Sequence, residues 1–132
     1  MFDVNKRTRV LVAEDNRLNV ELLINILEYY GVDYTHVETG ECALKAFEQA
    51  RFDLVVMDRH LPGISGLEAT ESIRALEQNE GRERTPIIAL TASAIAGDRQ
   101  ICLAAGMDDY VSKPFKMDSI RQMIDKWVNL VD

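Results

Sequence analysis

The adjacent pair Glu14-Asp15, and Asp58, Thr91 and Lys113, lie far apart in this sequence, yet each stands at the end of a short stretch with strand character. Val10 to Ala13 runs into Glu14-Asp15-Asn16, Leu54 to Met57 into Asp58, Ile87 to Leu90 into Thr91, and Asp109 to Val111 into Ser112-Lys113-Pro114. Apolar runs without a polar face mark parallel strands covered by helices on both sides. All strands of a parallel sheet end on the same edge, where open α/β sheets place their ligand sites, so the five residues are delivered to one rim. Three carboxylates crowded there repel one another unless a cation joins them, and an all-oxygen set suits Mg²⁺, with Mn²⁺ the alternative. One lysine does not neutralise three acids. A divalent ion and Lys113 together do, and they would also stabilise the oxygens of a phosphoryl group arriving at Asp58, with Thr91 adding a hydroxyl donor. Asp58 is then a candidate nucleophile. Taken alone, a strand-end aspartate more often solvates the strand or caps the next helix, here one beginning near Ser65. The other strand ends move the balance toward chemistry.

The elements that must position these residues emerge from periodicity. Leu22, Leu23, Ile26, Leu27 and Tyr30 recur at helical spacing from Leu18 onward, and Gly31 suits the helix end. Asp33 to Val37 alternates more, as an edge strand does, and His36 within it reads as a half-exposed strand residue rather than a metal ligand. Glu41 to Gln49 carries Cys42, Ala43, Ala46 and Phe47 on an amphipathic helix. Leu67, Ala69, Thr70, Ile73 and Leu76 mark a third helix, and the charged run from Gln78 to Arg84 reads as a solvated connector. Pro86 opens the strand that ends at Thr91, a fourth helix is expected over Ala96 to Ala105 with Gly106 as its stop, and Ile120, Met123, Ile124, Trp127, Val128 and Val131 define the last. Trp127 and the methionines on that stripe read as core. The order βαβαβαβαβα argues a parallel sheet with helices on both faces.

Composition sets outer limits. A chain of 132 residues suits one domain, with Met1 to Thr8 polar and expected to be loose. Apolar residues make up 47% and charged residues 28%, as in ordinary globular proteins. Fifteen basic against 22 acidic residues, a formal charge of -7, argue against direct binding to nucleic acid or to an anionic membrane. Cys42 and Cys102 lack metal-ligand spacing and are expected to be buried free thiols in a reducing compartment. No apolar run approaches the length of a membrane span or a signal-peptide core, so a cytoplasmic location is expected.

VAEDN at 12 to 16, MDRHLPGISG at 57 to 66, ALTASA at 89 to 94 and YVSKPF at 110 to 115 are the residues on which the chain resembles the receiver domain of two-component response regulators. Each motif alone is weak; all four, in order and each at a strand end, are specific. The resemblance spans Arg9 to Val131 and places a receiver domain over 9 to 132. It implies a flavodoxin-like (βα)5 sandwich with strand order 2-1-3-4-5. It also implies that Asp58 accepts phosphate from a phosphohistidine, and that Glu14 and Asp15 hold Mg²⁺ beside Asp58 with help from the His60 backbone carbonyl. Thr91 and Lys113 would contact the phosphoryl group, Tyr110 would be the switch aromatic, and the peptide before Pro114 would be cis. Implied partners are a sensor histidine kinase domain and a histidine phosphotransfer domain. The EDN opening, the charged connector and GRERTPIIALTA look most like receivers attached to hybrid sensor kinases. Such a module catalyses its own phosphorylation and slow hydrolysis and transforms no metabolite. No output domain follows Asp132, so output is expected to pass through another protein or the rest of a longer chain.

Arg59 and His60, a basic pair directly after the acceptor, and Ser93 occupy positions where the family varies. Two rival readings use the same residues. A haloacid-dehalogenase-type hydrolase also has a strand-end aspartate, but it needs a second aspartate two residues on, where His60 stands. A docking module without phosphorylation should have lost an acidic or lysine position. Movement of Thr91 toward a phosphorylated Asp58, with Tyr110 rotating behind it, would alter the surface around Ile95 to Gly106 and Met117 to Met123.

Overall fold

The computed structural model describes residues 8–91, 96–112 and 115–128. Five strands, β1 (Arg9–Ala13), β2 (Asp33–Val37), β3 (Leu54–Asp58), β4 (Ile87–Thr91) and β5 (Asp109–Ser112), alternate with five helices. The helices are α1 (Arg17–Tyr30), α2 (Gly40–Gln49), α3 (Gly66–Glu80), α4 (Ala96–Ala105) and α5 (Met117–Val128). All strand pairs are parallel and the order is β2-β1-β3-β4-β5, the sheet implied by the resemblance.

Alternation along each strand splits the core into two apolar layers. Val10, Val12, Leu54, Val56, Ile88, Leu90 and Val111 face α1 and α5, meeting Leu23, Ile26, Leu27, Ile120, Met123 and Ile124. Leu11, Ala13, Val55, Met57, Ile87 and Ala89 face the other way, onto Ala43 and Phe47 of α2, Ala69 and Ile73 of α3 and Cys102 of α4. Full burial of such a side chain is worth about 1.5–3 kcal/mol, so a one-residue slip of any central strand would be strongly opposed. The pairing of Ala13 with Met57, Asp58 with Leu90 and Thr91 with Ser112 therefore brings the strand ends level.

Helix ends are set by local chemistry. Asn16 caps α1 by accepting from the Asn19 N–H, Thr39 caps α2 through the Cys42 N–H, and Ser65 and Glu68 form a reciprocal capping box on α3. Ser65, not Asp58, thus caps the helix after β3. Gly31 and Gly81 close α1 and α3 in the left-handed conformation.

Two expectations need correction. Gln78, Asn79 and Glu80 belong to α3, and of the arginines after Gly81, Arg82 is withdrawn from solvent while Arg84 stays exposed as expected but is held by hydrogen bonds. Arg82 donates to the Phe47 and Glu48 carbonyls at 2.7 and 2.9 Å, satisfying the C-terminal turn of α2, while Arg84 binds the Gly106 carbonyl and Asp108. Arg74 ties Glu77, Thr85, Gly106 and Asp108 together beside them. The arginines are recruited by orphan carbonyls and a buried glutamate, which charge patterning does not reveal. Cys42 is exposed, on the outer face of α2, and only Cys102 is a buried thiol, its pKa raised by burial against the opposing pull of Arg59.

Candidate functional site

Glu14, one residue past β1, is fully buried, and its carboxylate is held from two sides. One oxygen accepts the Asn16 N–H at 3.0 Å and the other the Asn19 side-chain amide at 3.3 Å. Its backbone carbonyl meets Nε2 of His36 at 2.8 Å. His36 is therefore a half-buried strand residue, as its pattern suggests, and it also steadies the loop that carries the acids. Asp15, next along, is exposed.

Asp58 ends β3 at 3% exposure, and its Oδ1 accepts the His60 N–H at 3.0 Å. The loop then folds back so closely that Gly66 lies against the Asp58 carbonyl; a Cβ there would stand 2.1 Å from that oxygen. Gly63, at φ +77°, makes the turn that returns the chain to this contact. His60 itself is exposed beside the acids in sequence.

Ligand oxygens of Glu14, Asp15 and Asp58 all lie within 4.8 Å of one another. At such separations each like-charged pair costs about 1 kcal/mol in water and several-fold more where the dielectric is lower. Two of the three carboxylates are shielded from solvent, so this donor set fits a divalent hard cation bound by oxygen.

Thr91 ends β4 at 1% exposure, and its hydroxyl donates to Oδ2 of Asp98 in the first turn of α4 at 2.5 Å. The other Asp98 oxygen forms an ion pair with Arg59. Tyr110, half-buried on β5, packs against the layer shared by α2, α3 and α4, with the Arg99 guanidinium 5.8 Å from its ring centre. Lys113, Pro114, Ser93 and Ile95 lie outside the described residues. The structure thus brings Glu14, Asp15 and Asp58 together and sets Thr91 at the neighbouring strand end. The supporting contacts of Asn19, His36, Arg59 and Asp98 are not legible in the sequence. Asp98 has no sequence signal beyond that of any acid in a helix first turn, and Arg59 has only its position directly after Asp58.

The comparisons with known proteins agree with this geometry. The family model for the response regulator receiver domain matches residues 10–125. The sensor protein GacS of Pseudomonas syringae is 41% identical over 96% of this chain, and the virulence sensor protein BvgS of Bordetella pertussis 41% identical over 91%. The chain spans only 14% and 10% of those relatives. Among solved structures, the receiver domain of a Pseudomonas aeruginosa sensor histidine kinase, with magnesium coordinated in its active site cleft, has a TM-score of 0.83 at 40% identity. That match covers 94% of this chain and 99% of the other. The receiver domain of a Saccharomyces cerevisiae response regulator, in complex with a histidine phosphotransfer protein, has a TM-score of 0.88 at 30% identity, covering 92% and 88%. With five parallel strands in the order β2-β1-β3-β4-β5 and a three-carboxylate rim, the chain belongs to the response regulator receiver domain family.

Proposed function

We propose that this domain is the phosphoacceptor of a phosphorelay, taking a phosphoryl group from a phosphohistidine onto Asp58 in a Mg²⁺-dependent reaction, with Mn²⁺ able to substitute. The observation that carries the reading is the convergence of Glu14, Asp15 and Asp58 within 4.8 Å, with Asp58 itself at a strand end. Glu14, Asp15, Asp58 and the His60 carbonyl would hold the cation, which when bound screens the carboxylates and the phosphoryl oxygens from one another.

The chain's own residues do the rest. The His60 N–H fixes one Asp58 oxygen, and the other is assigned to attack phosphorus as the P–N bond to the donor imidazole breaks. The electron pair of that bond leaves with the imidazole. Thr91 and Lys113 are assigned to the phosphoryl oxygens, the first by its hydroxyl and the second by its ammonium group. Water later attacks the acyl phosphate, so the domain catalyses its own phosphorylation and slow hydrolysis and transforms no metabolite.

Relatives that are sensor kinases many times longer support a place beside a histidine kinase domain, and the yeast complex supports a histidine phosphotransfer protein as donor or acceptor. No helix among the described residues is long and apolar enough to cross a membrane.

The test is incubation with acetyl phosphate and Mg²⁺, read by intact mass. One phosphoryl group is expected on the unmutated protein and none on Asp58→Asn, which keeps the shape and loses the nucleophile. Chelation of Mg²⁺ should stop the reaction. Full incorporation by a folded Asp58→Asn protein would sink the assignment.

A further inference from the structure

Asp98 is an acid that phosphoryl transfer does not itself require, yet it is 7% exposed and both of its carboxylate oxygens are engaged. It lies in the first turn of α4, where the helix dipole favours a negative charge. One oxygen accepts the hydrogen bond of the Thr91 hydroxyl and the other pairs with the Arg59 guanidinium. A hydroxyl has a single proton, so a Thr91 that donates to Asp98 cannot donate to an oxygen on Asp58. Arg59 directly follows Asp58, and its buried Nε has no hydrogen-bond partner among the described residues. The guanidinium thus keeps a donor in reserve for an anion.

From this we infer that Asp98 is a positioning residue, the centre of an Arg59–Asp98–Thr91 latch that commits the Thr91 proton to α4 until a phosphoryl group on Asp58 competes for it and for Arg59. The inference rests on the reading of Asp58 as phosphoacceptor. Once both partners leave, Asp98 is a buried carboxylate with only the helix dipole to offset its burial, and the α4 turn that carries it moves until water reaches it. The latch therefore couples charge at β3 to the start of α4, and its strength sets how much anion is needed.

Beryllofluoride with Mg²⁺, titrated into the protein and followed by amide chemical shifts, tests this. Binding should tighten by about fivefold or more in Asp98→Ala, and less in the volume-conserving Asp98→Asn. The Gly97 and Arg99 amides of both variants, before any beryllofluoride, should already be displaced toward their positions in the bound unmutated protein. In a Thr91→Ala background most of the tightening should vanish, since no hydroxyl proton remains to be released. Should Asp98→Ala not fold, Asp98→Asn carries the same direction of effect. Unchanged or weaker binding in the Asp98 variants, or full tightening without Thr91, overturns the latch while binding by the unmutated protein keeps the phosphoacceptor reading. An unmutated protein that binds no beryllofluoride overturns both.

Discussion

Single residues divide sharply by environment. The two cysteines differ in access: Cys42 is exposed and Cys102 is packed between α4 and the sheet, its thiol pushed up by burial. Because the thiolate is the reactive form, iodoacetamide at neutral pH should modify Cys42 alone in the folded protein and both residues in urea. Peptide mapping by mass spectrometry checks this, and modification of both at equal rates without denaturant would contradict the packing. Gly66 poses the opposite problem, a site with no room. Its missing Cβ is what lets the loop close on the Asp58 carbonyl, so Gly66→Ala should destabilise by about 1–3 kcal/mol, as overpacking does. The same substitution should slow phosphorylation by acetyl phosphate by displacing Asp58. A thermal melt and a phosphorylation time course, run side by side, separate the two effects.

Elements were legible in the sequence wherever a periodic apolar pattern met a capping residue. The boundaries of α4 match the expected Ala96 to Ala105, and the wholly apolar runs became the central strands. Carboxylates at strand ends were legible too, because parallel strands fix direction. What could not be read were contacts between elements that depend on side-chain reach. Nothing in spacing says that Arg82 will cap α2, that His36 will hold the Glu14 carbonyl, or that Asp98 will bridge Arg59 and Thr91. A further link of this kind joins β5 to α5. Burial works to raise the Asp109 carboxyl, but the Trp127 indole N–H, the Tyr110 N–H and Lys126 together hold it below the ordinary carboxylate value. A lowered folded-state pKa stabilises fully above the unfolded value, near 4, and the contribution disappears as pH falls through the folded value. Asp109→Asn should therefore lose about 1 kcal/mol at pH 7 and match the unmutated protein once the pH is well below 4. Urea unfolding monitored by the fluorescence of Trp127, the only tryptophan, measures that gap at each pH. A gap that widened in acid would reverse the assigned sign.

At the scale of the whole molecule, the sheet is a rigid plate that carries the acids at one rim and exposes an apolar-studded face on α4 and α5. Ile101, Leu103 and Met117 are 45%, 43% and 52% exposed on those two helices. Tyr110 stands between the rim and that face, pairing in register with Ala89 on β4 and lying under Arg99 of α4. If a phosphoryl group draws Thr91 inward, the space left behind it can be filled by Tyr110, because a close-packed interior does not tolerate a void of that size. Rotation of the ring would leave Arg99 without its aromatic partner and shift α4 against β5. Such a change is driven only by the differential contacts of the phosphoryl group with the two arrangements, about 1–3 kcal/mol, so partial population of the active arrangement without phosphate is expected. Amide chemical shifts with beryllofluoride and Mg²⁺ should therefore change along α4, β5 and α5 in the unmutated protein. In Thr91→Ala and in Tyr110→Ala, changes should stay near Asp58 and leave that distal face silent. A distal face equally silent in the unmutated protein would exclude signalling by this route, even with Asp58 fully occupied.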